Sequence, residues 1–186
     1  ALKMAEKIAM KSDAEIVLLN MCETQDELDV AREKMKEIFV DEGINIEYLA
    51  RIGDFTKIGT VADEVGCELV FMGTHGAKGM QKLIVSNALK VVSSSHVPFI
   101  IVQDGTYRDN LESMVVPISF YHENTQKLRE VSRIAEIMGS TIHLICSWPK
   151  GENQNTTVTL NLAETKKYLE DRGLNYTLFK SAGKFN

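Results

Sequence analysis

The chain has 186 residues, 44% hydrophobic and 25% charged, and its 26 acidic against 21 basic side chains leave a net charge of −5. That length bounds it to one large domain or two small ones, with a core that needs no staples. Mild acidity removes the basic footprint of a nucleic-acid binder, and no apolar run approaches the roughly 20 residues of a membrane span. The cysteines (Cys22, Cys67, Cys146) lie far apart, without CxxC or Cys/His ligand spacing. They read as reduced thiols of a cytoplasmic protein. No signal-peptide pattern opens the sequence, although it starts at Ala1 rather than at a methionine.

Strand-like and helix-like patterns alternate from there. Glu15–Asn20 is a continuous apolar run, the mark of a parallel strand buried on both faces. Thr24 and Glu27 form a capping box. Leu28, Ala31, Met35, Ile38 and Phe39 follow at helical spacing. Gly43 stands where a helix C′ glycine belongs. Asn45–Ile52 reads as the next strand, Thr56–Val65 as a short helix stopped at Gly66, and Glu68–Met72 as another buried strand. A glycine-rich stretch, Gly73–Gly79, comes next, then a helix over Val85–Ser94 and a strand over Val97–Val102 with Pro98 near its start. Gln103–Ser113 is polar and aperiodic, as linkers are. Past it come a strand (Met114–Ile118), a helical stripe (Leu128, Val131, Ile134, Ala135, Met138) and a strand (Thr141–Cys146). A loop (Lys150–Thr157), a helix (Val158–Asp171) and a last strand (Leu174–Lys180) complete the chain. This βαβα rhythm predicts parallel sheets covered by helices.

The chain also repeats itself. Ile8-Ala9 and Ile16–Leu19 align with Ile134-Ala135 and Ile142–Ile145, 126 places on. Gly43, Asn45, Gly53 and Phe55 align with Gly173, Asn175, Gly183 and Phe185, 130 places on. The change of four puts an insertion in the second repeat, in Lys150–Thr157. Met114–Ile118 then has no partner in the first repeat, because its counterpart falls before Ala1. Thr56–Gln103 has none in the second, because the chain stops at Asn186. The expectation is one domain without its first strand, joined to the first half of another. Two whole copies need roughly 250–260 residues.

The stretch Met72-Gly-Thr-His-Gly-Ala-Lys-Gly-Met, with Ser86-Asn87 and His96-Val-Pro-Phe-Ile-Ile-Val-Gln103, resembles the universal stress protein family. So does Met114-Val-Val-Pro-Ile-Ser-Phe120, which is similar to that family's first strand. The resemblance implies two tandem copies of a doubly wound, five-stranded parallel sheet. This is the Rossmann-like, HUP-type fold grouped with adenine-nucleotide α-hydrolases. It divides the chain into a first domain (1–104), a linker (105–113) and the N-terminal half of a second domain (114–186). Some members of the family bind ATP and others do not.

The family's nucleotide signature is G-x2-G-x9-G-[ST]. Gly73 and Gly76 supply its opening, and nine residues lead from Gly76 to Ser86-Asn87. Ser86 therefore stands at the signature's glycine and Asn87 at its hydroxyl residue. Physically, glycines after a strand let backbone approach a ligand, and a helix N-terminus suits phosphate. Ser86 adds a Cβ there, whereas the Asn87 amide still donates. The competing reading is that both residues only cap the following helix. By the resemblance, Met21 and Met72 line the adenine side, with ordinary strand-end packing as the alternative. His75 stands between the glycines, within reach of ribose or phosphate or as a plain surface histidine. Lys78 and Lys82 either pair with phosphates or are simply solvated. Ser119 holds the place of an Asp that the family often keeps, which makes the second copy the poorer site.

No catalytic set assembles. His75, His96, His122 and His143 are scattered, and His143 reads as a buried strand residue. GxSxG, Walker A and GxGxxG motifs are missing. The expectation is binding rather than turnover, since slow ATP hydrolysis lacks a visible base. The cofactor implied is ATP, with Mg²⁺ entering only alongside the nucleotide. The implied partners are the two domains packed as a pseudo-dimer and a further copy in a homodimer. Neither nucleic acid nor a membrane is expected. A rival reading from another class is an interaction module without nucleotide, built on the strand edge at Pro98–Val102.

Overall fold

The computed structural model describes residues 1–73, 89–93, 95–103, 111–119, 124–147 and 152–181. The chain divides into two compact units, Ala1–Tyr107 and Arg108–Asn186.

The first unit opens with α1 (Leu2–Ser12), a helix that strand-and-cap reading of the sequence leaves unassigned. It carries Ile8 and Ala9 inward with the buried carboxylate of Glu6, whose Oε2 lies 2.8 Å from Lys3 Nζ. Then come β1 (Ile16–Cys22), α2 (Gln25–Lys36) and β2 (Ile46–Ile52). A 3₁₀ turn (Phe55–Lys57), α3 (Ile58–Glu64) and β3 (Val70–Gly73) follow. Residues 89–93 are helical, and β4 spans Phe99–Val102. β1 pairs in parallel with β2 from Ile16↔Ile46 to Cys22↔Ile52, and β3 pairs in parallel with β4 from Val70↔Phe99 to Gly73↔Val102. The described strands of this unit thus form two two-stranded sheets rather than the single sheet expected. β1 is buried at its ends, Ile16 and Cys22, but exposes Asn20, so it is not covered throughout on both faces.

The capping box at α2 forms with one difference. Thr24 Oγ1 accepts from the Glu27 N–H at 3.3 Å, while the Glu27 carboxylate accepts from the Glu23 N–H at 2.8 Å, one residue further out than the standard pattern. Thr24→Ala should cost about 1 kcal/mol of stability, read as a shift in the urea midpoint at unchanged slope. The predicted continuation of this helix to Phe39 does not hold. α2 ends at Lys36, Phe39 is 84% exposed, and Gly43 (φ +94) turns the chain into β2 instead of closing the helix.

The second unit has β5 (Ser113–Ile118), α4 (Asn124–Met138), β6 (Thr141–Ser147), α5 (Glu152–Asp171) and β7 (Tyr176–Ser181). The strands form one parallel sheet in the order β5-β6-β7. Val116, Ile118, Ile142, Leu144 and Cys146 bury their side chains with Ala135 of α4 and Leu169 of α5. The alternate residues face outward. His143 is therefore only half-buried, not interior as its apolar run suggests, and its Nδ1 lies 2.6 Å from Thr177 Oγ1. α5 starts at Glu152, inside the segment expected to be a loop. Polar residues hide a helix start when burial of later turns, at Val158, Asn161, Thr165 and Leu169, supplies the stability.

The two units keep the sequence offsets in their backbone bonds. Ala14 N–H donates to Ala9 O and Ser140 N–H to Ala135 O, both 126 places apart, at 3.2 and 2.9 Å. These bonds close helices whose next residues, Asp13 (φ 53) and Gly139 (φ 70), are left-handed. Ile16 N–H donates to Asn45 O and Ile142 N–H to Asn175 O, at 2.8 and 2.9 Å, with offsets of 126 and 130. The pairing registers agree accordingly: Ile16↔Ile46 and Ile142↔Tyr176. The inward residues of α2 (Leu28, Ala31, Met35) recur 130 places on as Val158, Asn161 and Thr165 of α5.

Candidate functional site

Three of the residues expected at a nucleotide site, Met21, Met72 and Gly73, fall among the described residues. His75, Gly76, Ser86 and Asn87 lie outside them, as do Lys78 and Lys82. Met21 is the penultimate residue of β1, and Met72 and Gly73 end β3. Both methionines are half-buried and Gly73 is exposed.

These two strand ends share one edge of the first unit. A three-residue link joins α1 to β1, so α1 runs back along β1 and its N-terminus lies at β1's carboxyl end. A Cβ built on Gly73 would lie 3.9 Å from the Cβ of Ala1. The carboxyl end of β3 therefore meets the start of α1, at the edge where β1 also ends. In open α/β sheets this is the edge that binds ligands.

Gly53 belongs to that edge and was missed as a site residue. Its N–H donates to Cys22 O at 2.8 Å, its φ is +152, and a Cβ there would stand 3.2 Å from Met21 Cε. Bare backbone at Gly53 is what lets the thioether lie across the end of β2. The repeat held the signal, since Gly53 matches Gly183. Asp54 follows, and hydrogen bonds from the Thr56 side chain and the Thr56 N–H (2.8 Å to Oδ1) hold its carboxyl below the usual range.

Beside Met21 runs an open groove of about 370 Å³, lined by Asn20, Met21 and Cys22 of β1 and by Asp26, Glu27, Val30, Ala31 and Lys34 around α2. Two carboxylates against one ammonium make its α2 wall a poor phosphate seat. Met21 offers apolar surface to a base. No group of three or more His, Cys, Asp or Glu among the described residues is placed to hold a metal ion.

Residues 41–103 match the family model of the universal stress proteins. This span takes in β2, β3, β4 and the glycine-rich stretch between them. Over that span the chain is similar to the universal stress protein family.

Its structural neighbours align along almost its whole length. A universal stress protein from Archaeoglobus fulgidus aligns with a TM-score of 0.67 at 17% identity, covering 98% of this chain and 72% of that one. A Pseudomonas aeruginosa structure assigned to the universal stress proteins aligns with a TM-score of 0.62 at 15% identity, covering 97% of this chain and 68% of its own. At these identities the likeness shows the fold alone. No curated protein matches the sequence. No helix among the described residues is long and apolar enough to cross a membrane.

Proposed function

We propose that the chain is a tandem-domain universal stress protein, a stress-response module whose first unit binds ATP at the carboxyl edge of its strands and acts by binding rather than turnover. The observation that carries the nucleotide reading is the meeting of two strand ends: Met21 across Gly53, and exposed Gly73 beside the start of α1. The first would take the adenine. The second begins the spaced glycine stretch, in which Gly76, His75, Ser86 and Asn87 are positioned by sequence to meet ribose and phosphates. Bound nucleotide would bring Mg²⁺ charge to the phosphates, and this chain's own residues would supply orientation. The tandem reading is supported by paired backbone bonds that keep offsets of 126 and 130 in both units. A cytoplasmic setting agrees with three free cysteines, among which burial pushes the Cys67 and Cys146 thiols up.

Isothermal titration of ATP–Mg²⁺ into the intact chain tests the reading. Saturable binding at or below millimolar nucleotide is expected, and no heat at millimolar nucleotide would sink it. Ser86→Gly with Asn87→Ser should tighten binding about tenfold, the worth of one hydrogen bond to a charged group. An unchanged Kd would assign both residues to helix capping alone.

A further inference from the structure

Gly59 lies in the first turn of α3, buried and without a positive φ. Its backbone there does not call for glycine, and alanine is the better helix former. The reason for glycine stands across from it. A Cβ built on Gly59 would lie 2.9 Å from Ser95 Cβ, 3.1 Å from Ser95 Oγ and 3.3 Å from Ser95 Cα. Non-bonded carbons rest about 3.5–4.0 Å apart, so a methyl here would drive the two segments apart by about half an ångström. Turning the Ser95 hydroxyl aside gives no relief, because Cβ and Cα are among the atoms met.

Ser95 is tied in both directions. Its N–H donates to Val92 O at 3.4 Å, within helical residues 89–93, and its Oγ accepts from Val97 N–H at 3.1 Å, on the way into β4. Pro98 O accepts from Val70 N–H at 2.9 Å, which fixes the entry to β4 beside β3. With that side held by the strand pair, a push on Ser95 passes into residues 89–93, where Val91 is fully buried. On the other side α3 follows the 3₁₀ turn without a break. Asp54 caps that turn, and Lys57 N–H donates to Asp54 O at 2.9 Å. Gly53, which lies under Met21, comes just before it. The Thr56 hydrogen bonds chiefly hold the Asp54 carboxyl low, and the Lys90 charge adds to them. The two segments therefore run side by side, Lys90 towards Asp54 and, five places on in each, Ser95 on Gly59.

We propose that Gly59 is a positioning residue for the phosphate end of a bound nucleotide. It touches no ligand itself. It sets how closely residues 89–93, which follow the glycine stretch in the chain, approach the Gly53–Asp54 turn at the Met21 end of the site. This rests on the nucleotide reading above and deepens it by separating the two ends. Met21 lies within the β1–β2 ladder, which pairs it with Arg51, so the base end keeps its place when Ser95 is pushed. The phosphate end is tied to α3 and moves with Ser95.

Isothermal titration of ATP–Mg²⁺ into the intact chain, with adenosine as competitor, reads the two ends apart. Gly59→Ala should weaken ATP binding at least about tenfold, the worth of one hydrogen bond to a charged group, and adenosine binding less than about twofold. Ser95→Gly makes room for the methyl, so the double variant should return to within about twofold of Ser95→Gly alone. A general loss of stability would move both ligands together. Equal weakening of ATP and adenosine overturns the proposal, as does an unchanged Kd for ATP or a double variant no better than Gly59→Ala. Unfolding of Gly59→Ala by far-ultraviolet circular dichroism, repaired in the double variant, would make the contact a matter of packing alone and would also overturn it. So would adenosine that fails to displace ATP from the unaltered chain, since no separate base end would then exist. Absence of ATP binding by the unaltered chain sinks the nucleotide reading and this inference with it. The other ligand outcomes are judged against an unaltered chain that binds, so the two failures are told apart.

Discussion

Leu144→Ala should destabilise the second unit by about 2–5 kcal/mol, the range for a buried leucine whose site cannot collapse. Leu144 is fully buried on β6, the middle strand, opposite Val116 of β5 and Leu178 of β7. Its neighbours in the core, among them Ile118, Ile142 and Leu169, are themselves inaccessible to solvent. Strand neighbours on both sides are held by backbone ladders, so little can move into the space left. Set against a typical domain stability of about 5–15 kcal/mol, the loss is a large fraction. The urea midpoint, followed by far-ultraviolet circular dichroism, should fall sharply. Leu160→Ala, at a residue 58% exposed on α5, should move it by no more than about 0.5 kcal/mol. Equal effects of the two variants would refute the packing described for this core.

Gly53→Ala should cost the first unit about 1–3 kcal/mol, the price of a side chain held at a φ that L-residues rarely adopt. The backbone sits at φ +152 and is tied by its N–H to Cys22 O. The new methyl would also meet Met21 Cε at 3.2 Å. These causes separate in a double variant. Met21→Ala removes the contact but not the strain, so Gly53→Ala in that background should still show most of its cost. Full recovery would place the whole effect in the contact. Thermal denaturation followed by far-ultraviolet circular dichroism reads both. Because Gly53 lets Met21 lie across the strand end, Gly53→Ala should also weaken any ATP binding. That loss should exceed what destabilisation alone explains.

Much of this could be read in the sequence. The strands at 16–22, 46–52, 113–118 and 141–147 are apolar β-rich runs, and periodicity finds them within a residue or two. The repeat was legible because matched Gly, Asn and Ile positions reflect matched caps and registers. Gly53 was passed over as a site residue for the opposite reason. A glycine's role depends on which side chain lies over it, and Met21 is far away in sequence. The ends of helices were least legible. α2 and α5 are counterparts, yet Phe39 is exposed where Leu169 is fully buried. Both positions fit a helical stripe. Only α5 continues through that turn, closing with Leu174 N–H on Leu169 O at 3.0 Å.

By itself the sequence determined the alternation of strands and helices, the internal repeat and the spaced glycine stretch after β3. Each of these is a matter of near neighbours or of self-comparison. Tertiary structure decided which strands pair and in what register. It brought Met21 over Gly53 and Gly73 beside the start of α1. Hydrogen bonding across strands and burial depend on what lies alongside, and residues tens of places away supply it.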